Sequence, residues 1–197
     1  MNQTVTRQNL YDYFEDCVST VREEQGVGLS GNVVRYLASL LCDLGKTEHL
    51  FRAQQPPTLA EMHFRGLSLQ SEHEALGHYK HLGDFALYIG GYFSESLQRK
   101  TVGIAYYADM GGAAYYRAAN LSAGPAEIHT TLHSLFTEMA THFRECLGVL
   151  SEVADRNRGD SMDNLANLFE RWLTTRDPYT GERLAKLGAL PIGPIDD

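Results

Sequence analysis

Apolar residues recur at every third or fourth position along most of this chain, which is the spacing that places them on one face of an α-helix. A typical stripe follows the glycine-rich segment near residue 28 and consists of Val33, Val34, Leu37, Leu40, Leu41 and Leu44. No convincing run alternates between polar and apolar residues, as a half-buried strand would. The periodicity therefore predicts an all-α protein.

Polar and glycine-rich segments divide this pattern into a bundle of about seven helices. The main helices are predicted over residues 6–24, 30–45, 58–65, 71–99, 102–120 and 125–155, with a further one from about Asp160. Thr58 with Glu61, and Ser71 with Glu74, have the spacing of a capping box at a helix start. Because short loops join long helices, neighbouring helices should be antiparallel. We expect a single domain over 1–197, in which 176–197 form a short C-terminal helix and an extended tail.

Composition argues against several classes of protein. The net charge of -8 and the lack of a basic stripe disfavour nucleic-acid binding. No run approaches the roughly 20 apolar residues that span a bilayer, and the N-terminus has no apolar signal-peptide core. The three cysteines include no CxxC pair, so neither a disulfide framework nor a cysteine zinc site is indicated. We expect a cytoplasmic protein that binds neither nucleic acid nor a membrane.

One long segment, residues 82–116, reads LGDFALYIGGYFSESLQRKTVGIAYYADMGGAAYY. It resembles a family of bacterial all-helical proteins of uncharacterised function. Residues 32–51, NVVRYLASLLCDLGKTEHLF, and 168–191, LFERWLTTRDPYTGERLAKLGALP, are similar to an early helix and a C-terminal pattern of the same family. The resemblance implies a shared helical fold, and it brings no activity, cofactor or catalytic residue.

Two glycine pairs lie inside predicted helices, Gly90-Gly91 and Gly111-Gly112. Each interior glycine costs about 0.5–1 kcal/mol relative to alanine, so another gain should offset it. Tyrosines surround both pairs, namely Tyr88, Tyr92, Tyr106, Tyr107, Tyr115 and Tyr116. Close helix packing, a subunit interface and a small-molecule pocket would each explain this pattern. Our main hypothesis is a self-associating, homo-oligomeric helical protein that binds a partner or small ligand through this Gly/Tyr-rich helix pair.

The alternative hypothesis is a metal-binding bundle, which could be a redox enzyme. Candidate ligands fall on single faces of two predicted helices: Glu74, His78 and His81 on one, and His129 and His133 on the other. Histidine and carboxylate ligands suit iron, zinc or manganese. A solvated helix flank explains the same residues, since Glu74 also fits the capping box and the HExxH and Glu-x-x-His patterns are missing. No nucleophile motif decides whether the protein is an enzyme.

Overall fold

The computed structural model describes residues 7–44, 58–92, 103–124 and 126–157, and within these ranges it contains helices and no strand. The α-helices are α1 (Arg7–Glu24), α2 (Gly31–Leu44), α3 (Leu59–Leu67), α4 (Glu72–Leu87), α5 (Ile104–Ser122), α6 (Glu127–Thr141) and α7 (Phe143–Asn157). A π-helical segment, Tyr88–Tyr92, continues α4. The predicted all-α class is therefore confirmed.

The chain divides into two compact units, Met1–Val153 and Ala154–Asp197, and most described residues belong to the first. In that unit α5 packs against α4 and α6, while α2 contacts α1 and α6, and α3 contacts α4. The largest fully buried side chains include Val18, Leu37, Leu82, Tyr115, Phe136 and Met139. The core draws on side chains from each of the described α-helices.

The helix starts follow local sequence signals. Thr58 and Glu61 form the complete predicted capping box at α3. At α4, the Ser71 hydroxyl accepts a hydrogen bond from the Glu74 N–H. Each bond satisfies a backbone donor that has no partner inside the helix. Sequence alone was therefore sufficient to locate these two helix starts.

The start of α2 is stabilised from a distant helix. The Ser30 hydroxyl accepts weakly from the Val33 N–H at 3.4 Å. The Glu138 carboxylate of α6 in turn accepts the Ser30 backbone N–H and the Ser30 hydroxyl, each at 2.7 Å. A negative charge is favourable at a helix N-terminus, where the backbone N–H groups and the helix dipole are positive. This contact joins α6 to the start of α2.

Two predicted helices differ from the structure. The helix predicted over 71–99 is α-helical to Leu87 and π-helical to Tyr92, and its remainder lies outside the described residues. The single helix predicted over 125–155 was wrong, because His142, with φ -106° and ψ 29°, separates α6 from α7. Hydrogen bonds from the His142 N–H to Glu138 and from the Cys146 N–H to His142 continue through the break. The chain therefore leaves helical geometry at one residue, and these two hydrogen bonds connect the helices on either side of it.

Other predictions fall outside the described ranges or remain without a test. The helix from Asp160, the last helix and the tail at 176–197, and Pro125 all lie in undescribed parts of the chain. The single-domain assignment stays a prediction. None of the described helices combines the length and the apolar composition that a membrane span needs.

We predict that Glu138→Ala destabilises the fold by about 1–3 kcal/mol, because it leaves the Ser30 N–H and hydroxyl without their carboxylate acceptor. Glu145→Ala is the matched control, since the side-chain contact of the exposed Glu145 is with His142 at 3.4 Å. That control should change stability by less than about 0.5 kcal/mol. Urea unfolding of both variants measures the difference, and equal effects would contradict the assigned role of Glu138.

Candidate functional site

Two glycines, Gly83 of α4 and Gly111 of α5, lie where aromatic rings approach the helix backbone. A Cβ atom added at Gly83 would lie 2.8 Å from Cε1 of Tyr115. At Gly111 the Cβ would overlap the ring of Phe143. Gly112 differs, because the nearest atom to its Cβ would be the Ala140 carbonyl oxygen at 3.6 Å, an ordinary contact. Gly83 and Gly111 therefore let α5 pack closely against its neighbours.

The second glycine pair serves the same purpose in the π-helical segment. A Cβ at Gly90 would lie 2.9 Å from Leu147 and 3.0 Å from Cβ of Tyr107. At Gly91 it would lie 2.9 Å from Cβ of Leu150. Side chains of the same unit fill the space beside both glycines. Of the three gains that could offset the cost of these glycines, close helix packing is the one that the contacts support.

The six tyrosines of the predicted site do not share one environment. Tyr88 and Tyr115 are buried, whereas Tyr92, Tyr106 and Tyr107 are half-buried. The rings of Tyr88 and Tyr92 stack with centroids 5.7 Å apart, and those of Tyr106 and Tyr107 meet edge to face. Tyr116 is 60% exposed. The predicted site is thus a packed region with one tyrosine directed to solvent.

A buried carboxylate, Asp84, forms a polar cluster in the described core, and the sequence analysis did not select it. The Asp84 Oδ1 atom accepts hydrogen bonds from the hydroxyls of Tyr36 at 2.6 Å and Tyr115 at 2.7 Å. Its Oδ2 atom accepts from the Lys80 ammonium at 2.7 Å. The same ammonium lies 5.3 Å from the centre of the Tyr36 ring. The sequence signal that could have identified this cluster is the position of Asp84, an acidic residue inside the apolar run that begins at Leu82.

Burial controls the protonation of the two tyrosines in this cluster. Loss of hydration raises the pKa of both Tyr36 and Tyr115 well above the usual value, and the negative charge of Asp84 raises it further. Both hydroxyls therefore stay protonated and donate to the carboxylate. Three of the four acceptor positions of Asp84 are occupied. This arrangement suits a structural tie between helices better than proton transfer to a substrate.

The candidate ligands on α4 are dispersed. The Nε2 atom of His78 donates to the Met62 carbonyl of α3 at 2.6 Å. Glu74 and His81 are exposed, and the Glu74 N–H forms part of the α4 cap. The structure therefore gives His78 a role in joining α3 to α4.

The candidate ligands on α6 lie together against the end of α5. His129 donates through Nδ1 to the Ser122 carbonyl at 3.2 Å, and His133 donates through Nδ1 to the Ala119 carbonyl at 2.8 Å. In the described part of the chain, no three His, Cys, Asp or Glu side chains are grouped as metal ligands. The metal site therefore stays a prediction, which applies separately to the candidate ligands on α4 and to those on α6.

Cys146 is a poor candidate for a nucleophile. Burial raises the pKa of its thiol to about 12, and the charges of Glu145 and Glu138 act in the same direction. Since the thiolate is the reactive form, this cysteine is inert near neutral pH.

No known protein family, curated protein or solved structure matches this chain. The resemblance to a bacterial family consequently stays a prediction.

We predict opposite effects from alanine at the two adjacent glycines of α5. Gly111→Ala should destabilise the fold by about 1–3 kcal/mol, because the new methyl group overlaps the Phe143 ring. Gly112→Ala should stabilise it by up to about 1 kcal/mol, because alanine favours the helix and the methyl group has room. Urea unfolding measures both, and a fold that tolerates Gly111→Ala without loss would contradict the close packing.

We predict a loss of stability above about pH 10 that depends on Tyr36 and Tyr115. Their pKa values are raised in the fold, so their contribution is complete below the pKa of an unfolded tyrosine. As the pH rises further, the unfolded chain releases the two protons first, which favours unfolding by up to about 2.7 kcal/mol per pH unit. Unfolding measured from pH 8 to 11 should show a shallower decline in the double Phe variant.

Tyr116→Phe is the control for this experiment, because the ring is exposed and lies outside the cluster. Its alkaline decline should match that of the wild type. At neutral pH, Tyr115→Phe should cost about 1.5–3 kcal/mol through the lost hydrogen bond to a charged acceptor. Identical alkaline slopes in the wild type and the double variant would contradict the assignment.

Proposed function

We propose that this chain is a self-associating helical protein that binds a second copy of itself through the outer face of α5. The observation that carries the proposal is the exposed Tyr116 ring, which shares the surface of α5 with exposed alanines and with charges of both signs. We define this outer face as Ala105, Asp109, Gly112, Ala113, Tyr116 and Arg117, which are exposed or half-exposed.

The residue types of this outer face favour contact with another helix. Ala105 and Ala113 are exposed and small, so a second helix could approach the α5 backbone closely. Tyr116 supplies a large apolar ring with a polar tip, a combination enriched at protein interfaces. Because a tyrosine has few rotatable bonds, its ordering on binding costs little entropy. The face is therefore suited to a small protein–protein contact.

The charges of the outer face are self-complementary. Asp109 precedes Ala113 by four residues and Arg117 follows it by four. Asp109 already forms an exposed ion pair with Arg144 of its own chain at 2.9 Å. If two α5 helices cross antiparallel with the two-fold axis at Ala113, each Asp109 also lies opposite Arg117 of the partner subunit. A symmetric dimer requires one surface patch to complement itself in this way. Exposed ion pairs add little affinity, so we assign these charges to register and specificity.

The inner side of α5 gives less support to a small-molecule pocket. Side chains occupy the positions beside Gly83, Gly90, Gly91 and Gly111. A ligand seated against those glycines would have to displace Tyr115, Leu147, Leu150 or Phe143. The proposed interface therefore lies on the exposed face of α5, not against the buried glycines Gly83, Gly90, Gly91 and Gly111.

We predict that Ala113→Arg weakens self-association at least 10-fold, about 1.4 kcal/mol, because a long charged side chain would lie on the proposed axis. Tyr116→Ser should weaken it as well. Phe64→Ser is the matched control, because Phe64 is 70% exposed on α3 and outside the proposed face. Sedimentation equilibrium of the full chain measures the dissociation constants.

Charge reversal tests the antiparallel register. Arg117→Asp should weaken association through repulsion from Asp109 of the partner subunit, and combining it with Asp109→Arg should restore association. Because Asp109→Arg also breaks the ion pair with Arg144, urea unfolding of each variant checks that the fold is kept. A wild-type chain that is monomeric up to high micromolar concentration would contradict the proposal. An oligomer that is indifferent to Ala113→Arg and sensitive to Phe64→Ser would place the interface elsewhere.

A further inference from the structure

The corner between α5 and α6 holds two histidine rings in the same way. Nδ1 of His129 lies 3.2 Å from the Ser122 carbonyl oxygen, and Nδ1 of His133 lies 2.8 Å from the Ala119 carbonyl oxygen. A carbonyl oxygen can only accept a hydrogen bond, so the proton of each neutral ring must be on Nδ1. The Nε2 atom of each ring then carries a lone pair.

These lone pairs are available for a ligand. Within the described part of the chain, neither Nε2 atom takes part in a hydrogen bond or ion pair. His129 is exposed and His133 is half-buried, so solvent reaches the pair from the side of His129. The two residues are four positions apart in α6 and therefore lie one turn apart on one face of the helix. Two unprotonated imidazole nitrogens on one helix face can chelate a single metal ion.

The corner is shaped around the first ring. A Cβ atom added at Gly124 would lie 3.0 Å from Cγ of His129 and 3.2 Å from its Cδ2. The absence of a side chain at Gly124 lets the α5–α6 connection lie against the ring. The His129 ring is thus held by the Ser122 carbonyl and by this connection. Both contacts limit rotation of the ring.

This arrangement is the one that metal-binding histidines use. Such a histidine nearly always donates its second ring N–H to a carbonyl or carboxylate, which fixes the tautomer and the orientation of the ring. We propose that His129 and His133 bind one first-row divalent transition-metal ion through their Nε2 atoms, with water in the remaining coordination positions. The inference is independent of self-association through the outer face of α5.

The residues around the pair define which ions would bind. Imidazole nitrogens suit copper, nickel and zinc, whereas magnesium and calcium prefer oxygen ligands. Glu138, the next acidic residue along α6, is already bonded to Ser30. Two nitrogen ligands and no carboxylate favour affinities that follow the order Cu²⁺ above Ni²⁺ and Zn²⁺, with Mn²⁺ weakest. Binding would fix the α5–α6 corner and stabilise the folded chain by mass action.

The histidines of α4 provide a contrast within the same chain. His78 uses Nε2 for its hydrogen bond to Met62, and the residue four positions later is Leu82. His73 and His81 are exposed. Since α4 has no second ring oriented by a carbonyl one turn away, single substitutions at His73 and His81 are suitable controls.

The test uses the untagged full chain after treatment with a chelator. Isothermal titration with Cu²⁺, Ni²⁺ and Zn²⁺ should give one ion per chain, and each ion should raise the melting temperature. His129→Ala and His133→Ala should each reduce the affinity at least 10-fold, whereas His73→Ala and His81→Ala should leave it unchanged. Binding that both α6 variants leave unaffected, or no binding at all, would overturn the proposal.

A second measurement does not depend on whether the variants fold. Two-bond ¹H–¹⁵N correlation spectra of the metal-free chain report the tautomer of each histidine ring. We expect the Nδ1–H form for His129 and His133, and a change of the Nε2 resonances of these two rings when Zn²⁺ is added. Rings in the Nε2–H form, or Zn²⁺-induced changes confined to other histidines, would contradict the site even if metal binding is observed.

Discussion

The carboxylate of Asp84 is the contact on which the arrangement of the central helices depends. It belongs to α4, and it accepts hydrogen bonds from Tyr36 of α2 and Tyr115 of α5. Apolar packing has little directionality, whereas a carboxylate that must be satisfied fixes where its donors lie. A buried charge without partners is strongly destabilising. A shift of α2 or α5 along α4 would therefore leave the Asp84 carboxylate without its hydrogen-bond donors and destabilise the fold.

The aromatic core extends the same constraint to further helices. The ring of Phe136 in α6 stacks on Tyr115 with centroids 5.9 Å apart and meets Tyr36 edge to face at 6.2 Å. Phe143 contacts the same Tyr115 ring at 5.8 Å. Tyr115 can reach Asp84 because Gly83, the residue before Asp84, has no side chain at the position of the Tyr115 ring. The pair Gly83-Asp84 therefore supplies both the room for the tyrosine and the acceptor for its hydroxyl.

The parts of this structure that follow local rules could be predicted from sequence. Periodicity identified the helices, and the Thr58–Glu61 pair located the start of α3 because a capping box involves only four consecutive residues. The break at His142 and the cap that Glu138 provides for Ser30 could not be predicted, because both depend on contacts between distant segments. The glycine pairs indicated that some gain offsets their cost, but the residues that supply it, Phe143 and Leu147, lie more than 30 positions away.

Candidate sites were harder to predict for the same reason. A histidine spacing identifies residues on one helix face, yet the partner that orients His129 and His133 is a backbone carbonyl, which no residue type encodes. Tyr115 and Tyr116 are adjacent and chemically identical, but one is fully buried and the other is exposed. Their different roles follow from the direction in which each leaves α5.

The inward tyrosine is fixed by Asp84, and this fixes the rotation of α5 about its axis. That rotation in turn directs Asp109, Ala113 and Tyr116 to the surface, so the buried carboxylate determines which face of α5 is exposed.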